Sequence, residues 1–371
     1  MTVPKTIYCI VTNDLNQDQR MHRICTSLTK MGYDVCLVGR IKPKSSALLN
    51  MPFRQIRLPC MFDKGLLFYA EYNIRLLILL AFRVKVDIIY SVDSDTVAAC
   101  GLSKWLKRKK MVFDAHEYFT EVPEVMNRPI IKWTWEIIEN IFIPMADECM
   151  TVNQSLAKLF SKKYTKPFIT IYNVPAKSEK RFRDKSYTKP YLLYQGMLNQ
   201  GRGLEELISA LPLIRDVDLY IIGEGDMSEK LKKLANENTA KDRIIFKGWL
   251  IPDEIKTITA GAILGINLLE SDSKSYYFSL ANKFFDYMHA DVPSVNMDFP
   301  EYRDIIAKYN VGILISVLDK HEIANKINFL LSDQAKYAAM KSACRSACDV
   351  YNWDHEEKKI EKLMERLIVR S

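Results

Sequence analysis

Glycine and proline are scarce, at 13 and 14 in 371 residues, while 48% of the chain is hydrophobic and 26% charged. That balance excludes a chain dominated by disorder and suits a globular protein of two domains. No Cys-x-x-Cys pair occurs. The eight cysteines, Cys9, Cys25, Cys36, Cys60, Cys100, Cys149, Cys344 and Cys348, are scattered, most of them in apolar runs, and are expected to be buried free thiols of a reducing compartment. Cys344 and Cys348 share a helical face, but no histidine or second pair supports a zinc site there. Long apolar runs are missing too. The greasiest segment, Leu66 to Phe82, is interrupted by Glu71, Asn73 and Arg75, so it reads as a buried or interfacial helix rather than a membrane span. Lys5 leads into a short apolar run ending in Asn13-Asp14, without the core and cleavage site of a signal peptide, and a cytoplasmic location is expected.

The net charge of +8 is modest for this length, yet it is locally concentrated. Lys104-Trp105-Leu106-Lys107-Arg108-Lys109-Lys110 and Lys132-Trp133-Thr134-Trp135 set basic residues beside aromatics, which suits peripheral contact with an anionic leaflet at the inner face of a membrane. A solvated helix face with the tryptophans packed inward explains the same pattern. Nucleic acid is not expected as a partner, because no nucleic-acid module signature occurs and the charge forms no long stripe.

Hydrophobic periodicity alternates between strand and helix. Lys5 to Thr12 reads as a strand, Gln19 to Met31 as a helix, and Tyr33 to Gly39 as a second strand. Val86 to Ser91 and Lys110 to Asp114 are strand-like with a helix from about Thr96 to Lys107 between them; a helix from Ile130 to Met145 leads to the strand Glu148 to Val152. Residues 177–188 are polar and charge-dense and read as a linker. The pattern then restarts with strands at Tyr191 to Gln195, Asp218 to Ile222, Arg243 to Lys247 and Ala262 to Leu268, separated by helices, and Tyr351 to Arg370 is a helical tail. Such alternation implies parallel sheets covered on both faces, with ligands beyond the carboxyl ends of the strands. The expected domains are 1–178, 188–350 and a terminal helix over 351–371.

The stretch from Ser279 to Pro293 reads as a helix start suited to an anion. Ser279 is expected as the N-cap of a helix beginning near residue 280, whose first backbone N–H groups lack intrahelical acceptors and carry the positive end of the dipole. Lys283 adds charge. Asp286 lies about 6 Å along the axis from Asn282, roughly the offset between a nucleotide's phosphate and its ribose hydroxyls. An acidic residue early in a helix is favourable in any case, and Asn-Lys also fits a solvated face.

Together with Tyr194-Gln195-Gly196-Met197-Leu198 and Arg202-Gly203-Leu204-Glu205, this segment resembles the donor-binding half of glycosyltransferase family 4. The resemblance implies an α/β fold of the GT-B type, two Rossmann-like domains with a cleft between them, in which a sugar is transferred with retention from a nucleoside-diphosphate sugar. It implies a terminal helix that crosses back to the first domain, an acceptor on the first domain and a donor on the second. Carried residue by residue, it assigns Gly196, Gly223, Glu224, Ser279, Leu280, Ala281, Asn282 and Asp286 to the donor, with Arg202 and Lys283 neutralising the leaving diphosphate. Met197 stands where many members have a further basic residue. Phe278 stands where the first of the family's two glutamates belongs, leaving Glu270, Asp272 or the backbone of 279–281 to meet the donor sugar.

In the first half Asp114-Ala115-His116-Glu117-Tyr118 follows a strand and resembles the family's cleft segment, making His116 the candidate catalytic contact to the sugar. Asn13, Asp14, Arg20 and Glu117, with Glu121 behind them, are the acceptor-side candidates. Asp93-Ser94-Asp95 imitates the metal motif of another glycosyltransferase fold, but Asp87, Asp93 and Asp95 are read as strand-end and N-cap residues; no metal and no cofactor is expected. The partners implied are a nucleotide-diphosphate-sugar donor and a saccharide or lipid-linked acceptor of surface polysaccharide assembly. An epimerase acting on a nucleotide-sugar, or a non-catalytic membrane-associated subunit, fits the same two-domain pattern.

Overall fold

The computed structural model describes residues 4–177 and 189–369, so the linker expected at 177–188 lies, after its first residue, outside the described residues. The chain divides into two compact units, one of Met1–Asn173 with Glu356–Ser371 and the other of Val174–His355.

The first unit is built on β1 (Thr6–Ile10), β2 (Asp34–Arg40), β3 (Arg54–Leu58), β4 (Ile88–Val92), β5 (Lys110–Ala115), β6 (Glu148–Thr151) and β7 (Phe168–Thr170). Their spatial order is β3-β2-β1-β4-β5-β6-β7 and every pairing is parallel. Parallel neighbours need crossovers, and the helices Gln19–Lys30, Gly65–Ile78, Asp93–Lys107, Pro129–Phe142 and Gln154–Tyr164 supply them. With both faces covered, β1 and β4 are almost uninterrupted apolar runs, and Ile7, Cys9, Ile10, Ile88 and Ile89 are buried. The order reverses between β1 and β4. Loops leaving the carboxyl ends of those strands therefore diverge and open a crevice, which receives Thr12, Asp93 and the segment after β5.

The second unit repeats the plan with β8 (Tyr191–Gln195), β9 (Asp218–Ile222), β10 (Ile244–Gly248), β11 (Leu264–Asn267), β12 (Ser294–Met297) and β13 (Gly312–Ile315), in the order β10-β9-β8-β11-β12-β13. Its switch point lies between β8 and β11, beside the helix Asn282–His289. Tyr287 seats that helix: its ring covers Gly265, where an added Cβ would come within 2.2 Å, and its hydroxyl donates toward Leu193 O at 3.0 Å. The last helix is Trp353–Val369. From Glu356 onward it belongs to the first unit, where Glu356 accepts from Tyr172 N at 3.0 Å and Arg366 pairs with Glu148 at 3.2 Å.

All eight cysteines are free thiols; six are buried, while Cys60 and Cys348 are partly exposed.

Candidate functional site

In the second unit the chemistry gathers around the end of β8. Gly196 adopts φ +131 and Gly223 φ +128, backbone that side-chain-bearing residues rarely take. The two turns touch: a Cβ on Gly223 would lie 2.0 Å from the Gly196 carbonyl oxygen. Gly196 N–H donates to Ile222 O at 3.0 Å and Leu198 N–H to Glu224 O at 3.1 Å, so the turn after β9 holds the turn after β8 in place. The Glu224 carboxylate accepts from Ser228 Oγ at 2.7 Å. That bond commits it to the local turn and leaves a positioning part for the residue.

Lys283 is 9% exposed, with Nζ 3.7 Å from the centroid of the Tyr194 ring. A Cβ on Gly196 would stand 3.6 Å from that ammonium, in ordinary contact, so it is the positive φ that reserves the position for glycine. Burial, then the neighbouring charge of Arg202, push the Lys283 ammonium well below the ordinary lysine range, against a smaller opposing pull from Asp286. Arg202 lies over Tyr276, 5.0 Å from guanidinium carbon to ring centroid, and its Nε is buried without a hydrogen-bond partner. Neither cation forms an ion pair with a described residue. Two neighbouring cations, one almost fully desolvated and the other with an idle buried donor, are costly unless an anion completes them.

The helix start departs from expectation. Helix Asn282–His289 has Ala281, not Ser279, at its N-cap, and no side chain caps it. Ser279 Oγ instead donates to Tyr276 O at 2.7 Å, closing the short helix Lys274–Tyr277 that precedes it. Ala281 N–H is spent on the Tyr302 hydroxyl at 2.9 Å, and the Leu280 side chain is buried, so the three consecutive amides expected for an anion are not all offered. Asn282 is exposed at the first helical position. With no capping side chain over it, that end keeps the dipole's positive pole beside Lys283.

Asp286, one turn further, accepts from Gln195 Nε2 at 3.1 Å, and Gln195 is fixed in turn by Thr259 Oγ1 at 2.8 Å. Glu270 adjoins the Arg202 loop, its N–H donating to Gly201 O at 3.0 Å and its carboxylate oxygen 3.6 Å from a Cβ built on Gly201. Burial first, then Asp272, Glu206 and Glu205, raise its carboxyl above the usual range.

In the first unit the structure assembles a charged network at the crevice. Asp114 is fully buried and accepts from Arg20 Nε at 3.0 Å, Arg20 Nη2 at 2.9 Å, the Tyr90 hydroxyl at 2.8 Å and His116 Nε2 at 3.0 Å. Burial alone would raise this carboxyl, but Arg20 and His116 outweigh it and hold it well below the carboxylate range. His116 is half-buried between two carboxyl groups, with ring Nδ1 3.9 Å from Asp93 and its backbone N–H donating to Asp93 at 2.7 Å. Burial lowers the imidazole, yet Asp114 and then Asp93 carry it up to about 9. The carboxyl groups on either side therefore favour the protonated form of the His116 ring. Asp93, at φ +53, is raised by burial and ties the end of β4 to the end of β5, while Asp95 accepts from Thr12 Oγ1 at 2.6 Å.

Three acceptor-side candidates are engaged by bonds within the first unit. Arg20 is 3% exposed and locked in a two-point pair with Asp114, its Nη1 donating to Ile171 O at 2.8 Å, so it supports His116 from inside. Asn13 caps its own turn, accepting from Leu15 N at 2.9 Å and donating to Asp18 at 2.6 Å. Glu121 is closed off by Lys132 at 2.7 Å. Glu117 is exposed beside the crevice, and Asp14 is half-buried with its carboxylate 3.4 Å from Ser45 Oγ. Among the described residues no group of three or more His, Cys, Asp or Glu is arranged to hold a metal ion. Sequence reading had not singled out Tyr194, Thr259, Tyr276 or Tyr302 as supports of the site, nor Gln195 as the partner of Asp286; only Gln195, as the last residue of an apolar strand, carried a visible signal.

Comparison with known proteins bears on the family and the fold. Residues 17–174 match the model described as Glycosyltransferase Family 4, and residues 176–347 the model described as Glycosyl transferases group 1. Chitobiosyldiphosphodolichol beta-mannosyltransferase of Candida albicans is 22% identical, over 91% of this chain and 83% of that one. Sucrose-phosphate synthase from Thermosynechococcus elongatus superposes with a TM-score of 0.80 at 16% identity, covering 99% of this chain and 100% of that one. Anabaena HepE in complex with UDP-glucose does so with a TM-score of 0.77 at 14% identity, covering 97% and 99%. With two parallel Rossmann-like sheets in succession and a family match spanning each, the chain is a glycosyltransferase of group 1 on the GT-B fold.

Proposed function

We propose that the enzyme moves a sugar, with retention of configuration, from a nucleoside-diphosphate sugar to a saccharide acceptor carried on a lipid, in cell-surface polysaccharide synthesis. The observation that carries the donor half is the neighbouring pair of buried Lys283 and half-buried Arg202, whose Nε has no hydrogen-bond partner; neither forms an ion pair with a described residue. As the bond from the anomeric carbon to the phosphate oxygen breaks, negative charge develops on the diphosphate. Cations already in place stabilise it there without reorganisation. The acceptor oxygen forms the new bond to the anomeric carbon and its proton passes to the departing phosphate, so no protein nucleophile and no metal is needed. Asp286, oriented by Gln195, takes the ribose hydroxyls. His116 contributes an imidazolium N–H to the sugar, and Glu270, beside Gly201, supplies the acceptor that Phe278 cannot.

The nucleoside-diphosphate sugar is in line with the UDP-glucose named in the HepE complex, and the lipid-borne acceptor with the dolichol diphosphate in the Candida enzyme's name. The test incubates purified protein with a panel of nucleoside-diphosphate sugars and lipid-diphosphate saccharides, with and without chelator, and reads diphosphate release and the product's anomeric configuration by NMR. Transfer that survives chelation, keeps the anomer and falls about 10²–10³-fold in Arg202→Ala supports the proposal. An inverted anomer, or near-normal turnover in Arg202→Ala with the fold intact, refutes it.

A further inference from the structure

The helix Gly65–Ile78, prolonged by one wider turn through Arg83, is apolar on both sides, which sets aside the buried alternative for this segment and leaves the interfacial one. Its 19 residues are long and apolar enough to cross a membrane by length and composition, yet only 22% of its most apolar window is buried. The inward side is already used: Phe68, Tyr72, Leu76 and Leu80 pack into the domain, and Asn73 bonds Asp95 O at 2.8 Å and Ala99 N at 3.2 Å. A helix so tied to its own domain does not span a bilayer. The outward side carries Leu67, Ala70, Ile74 and Ile78, which at helical spacing fall in a stripe roughly 80° wide. Ile74 is 60% exposed and Phe82, at the end, 76%.

The same pattern recurs on a neighbouring helix. Pro129–Phe142 presents Ile130, Trp133, Ile137 and Ile141 at the same spacing, with Trp133 63% exposed, while Trp135 and Glu139 turn inward. Between them, Asp93–Lys107 ends in exposed Leu102, Trp105 and Leu106. The three helices are in contact: Tyr69 meets Trp135 edge-on at 5.1 Å, Lys107 Nζ donates to Val84 O at 2.6 Å, and Gly101 leaves room for Phe142. Cations stand at their ends. Lys64, Arg83, Lys85, Arg108 and Arg128 are all exposed, and none pairs with a described residue.

We propose that this three-helix face of the first unit seats on the headgroup layer of an anionic bilayer, apolar stripes inward and the five cations among the lipid phosphates. Exposed tryptophans beside lysine and arginine match the amphipathic depth profile of that layer. A second copy is a poorer occupant, because a two-fold contact through this face would set its cations against their own images. The inference is independent of the donor chemistry, since binding is read without turnover.

The full chain is sedimented with vesicles of phosphatidylcholine alone and of phosphatidylcholine with about one third phosphatidylglycerol. It is expected to pellet with the anionic vesicles and not with the neutral ones. Brominated lipid is expected to quench its tryptophan fluorescence, and the Trp105→Phe, Trp133→Phe double variant to lose most of that quenching. Arg83→Gln with Arg108→Gln is expected to lower partitioning about 30-fold, and Ile74→Glu with Ile137→Glu at least about tenfold, both retaining the wild-type circular dichroism. The proposal is overturned if wild type stays in the supernatant, if both charge and apolar variants bind as wild type does, or if sedimentation velocity shows a dimer that Ile74→Glu dissociates.

Discussion

Lys283→Met separates a residue kept for a ligand from one kept for the fold. In the absence of ligand the Lys283 ammonium is desolvated, faces the positive Arg202 and has the Tyr194 ring and a smaller pull from Asp286 in compensation. Methionine preserves the stem and its packing while removing the charge. The variant is therefore expected to be more stable than wild type without ligand, by about 1 kcal/mol, or roughly 2–4 °C in Tm for a unit of this size. The sign follows from the depressed ammonium: the charged form is disfavoured by folding, so the penalty is present below the ordinary lysine range and is relieved as pH rises into it. The variant's advantage should accordingly shrink toward pH 10. A nucleoside diphosphate reverses the ranking. At about 100 times its Kd it should stabilise wild type by about 2.7 kcal/mol and the variant far less, while turnover of the variant falls about 10²–10³-fold. Differential scanning fluorimetry from pH 7 to 10, with and without UDP or GDP, reads all three effects. A ligand-free variant that melts lower than wild type, with unchanged nucleotide stabilisation, would show that the ammonium is structural and that the anion site lies elsewhere.

Other outcomes follow from the same geometry. His116→Gln removes a group raised from 6.5 to about 9; wild type should hold a stability contribution fully present below about pH 6.5 and lost as pH rises through about 9, amounting to about 3 kcal/mol. Chemical denaturation at pH 6 and pH 9.5 checks this, and a variant whose midpoint keeps the wild-type pH slope contradicts the assignment. Gly223→Ala places a Cβ 2.0 Å from Gly196 O at a φ of +128, so a loss of about 1–3 kcal/mol is expected together with weaker nucleotide binding. Unchanged calorimetric binding in that variant would mean that the contact between the two turns does not shape the donor seat.

Much of the fold was legible because parallel strands buried on both faces leave continuous apolar runs such as Ile7 to Ile10 and Tyr191 to Gln195. The short edge strands β3, β7 and β13 and the four-residue β12 were not. Arg54 to Leu58 opens with two polar residues and has only two apolar ones, Ile56 and Leu58, so its strand state depends on pairing with Cys36 to Arg40 rather than on its own pattern. The candidate donor site was legible as a set of residues, a glycine turn, two cations and an acid on a helix, which the structure brings around the end of β8. The cap was misplaced because Ser279 has two helix ends within reach, and only packing decides which one its hydroxyl serves.

Residue chemistry and spacing alone determined that two α/β halves follow one another, that Gly196 ends a strand, and that Lys283 and Asp286 lie about one turn apart on one helix. Those properties are local, set by dihedral preference and helical pitch. Tertiary structure decided that Arg202 and Lys283 confront each other, that Asp286 is aimed by Gln195, and that Arg20 is consumed by Asp114 instead of facing an acceptor. Each of these joins residues tens of positions apart in the chain. Their neighbours are set by strand order and, for Arg20 and Asp114, by the pairing of buried opposite charges, which no short window of sequence contains.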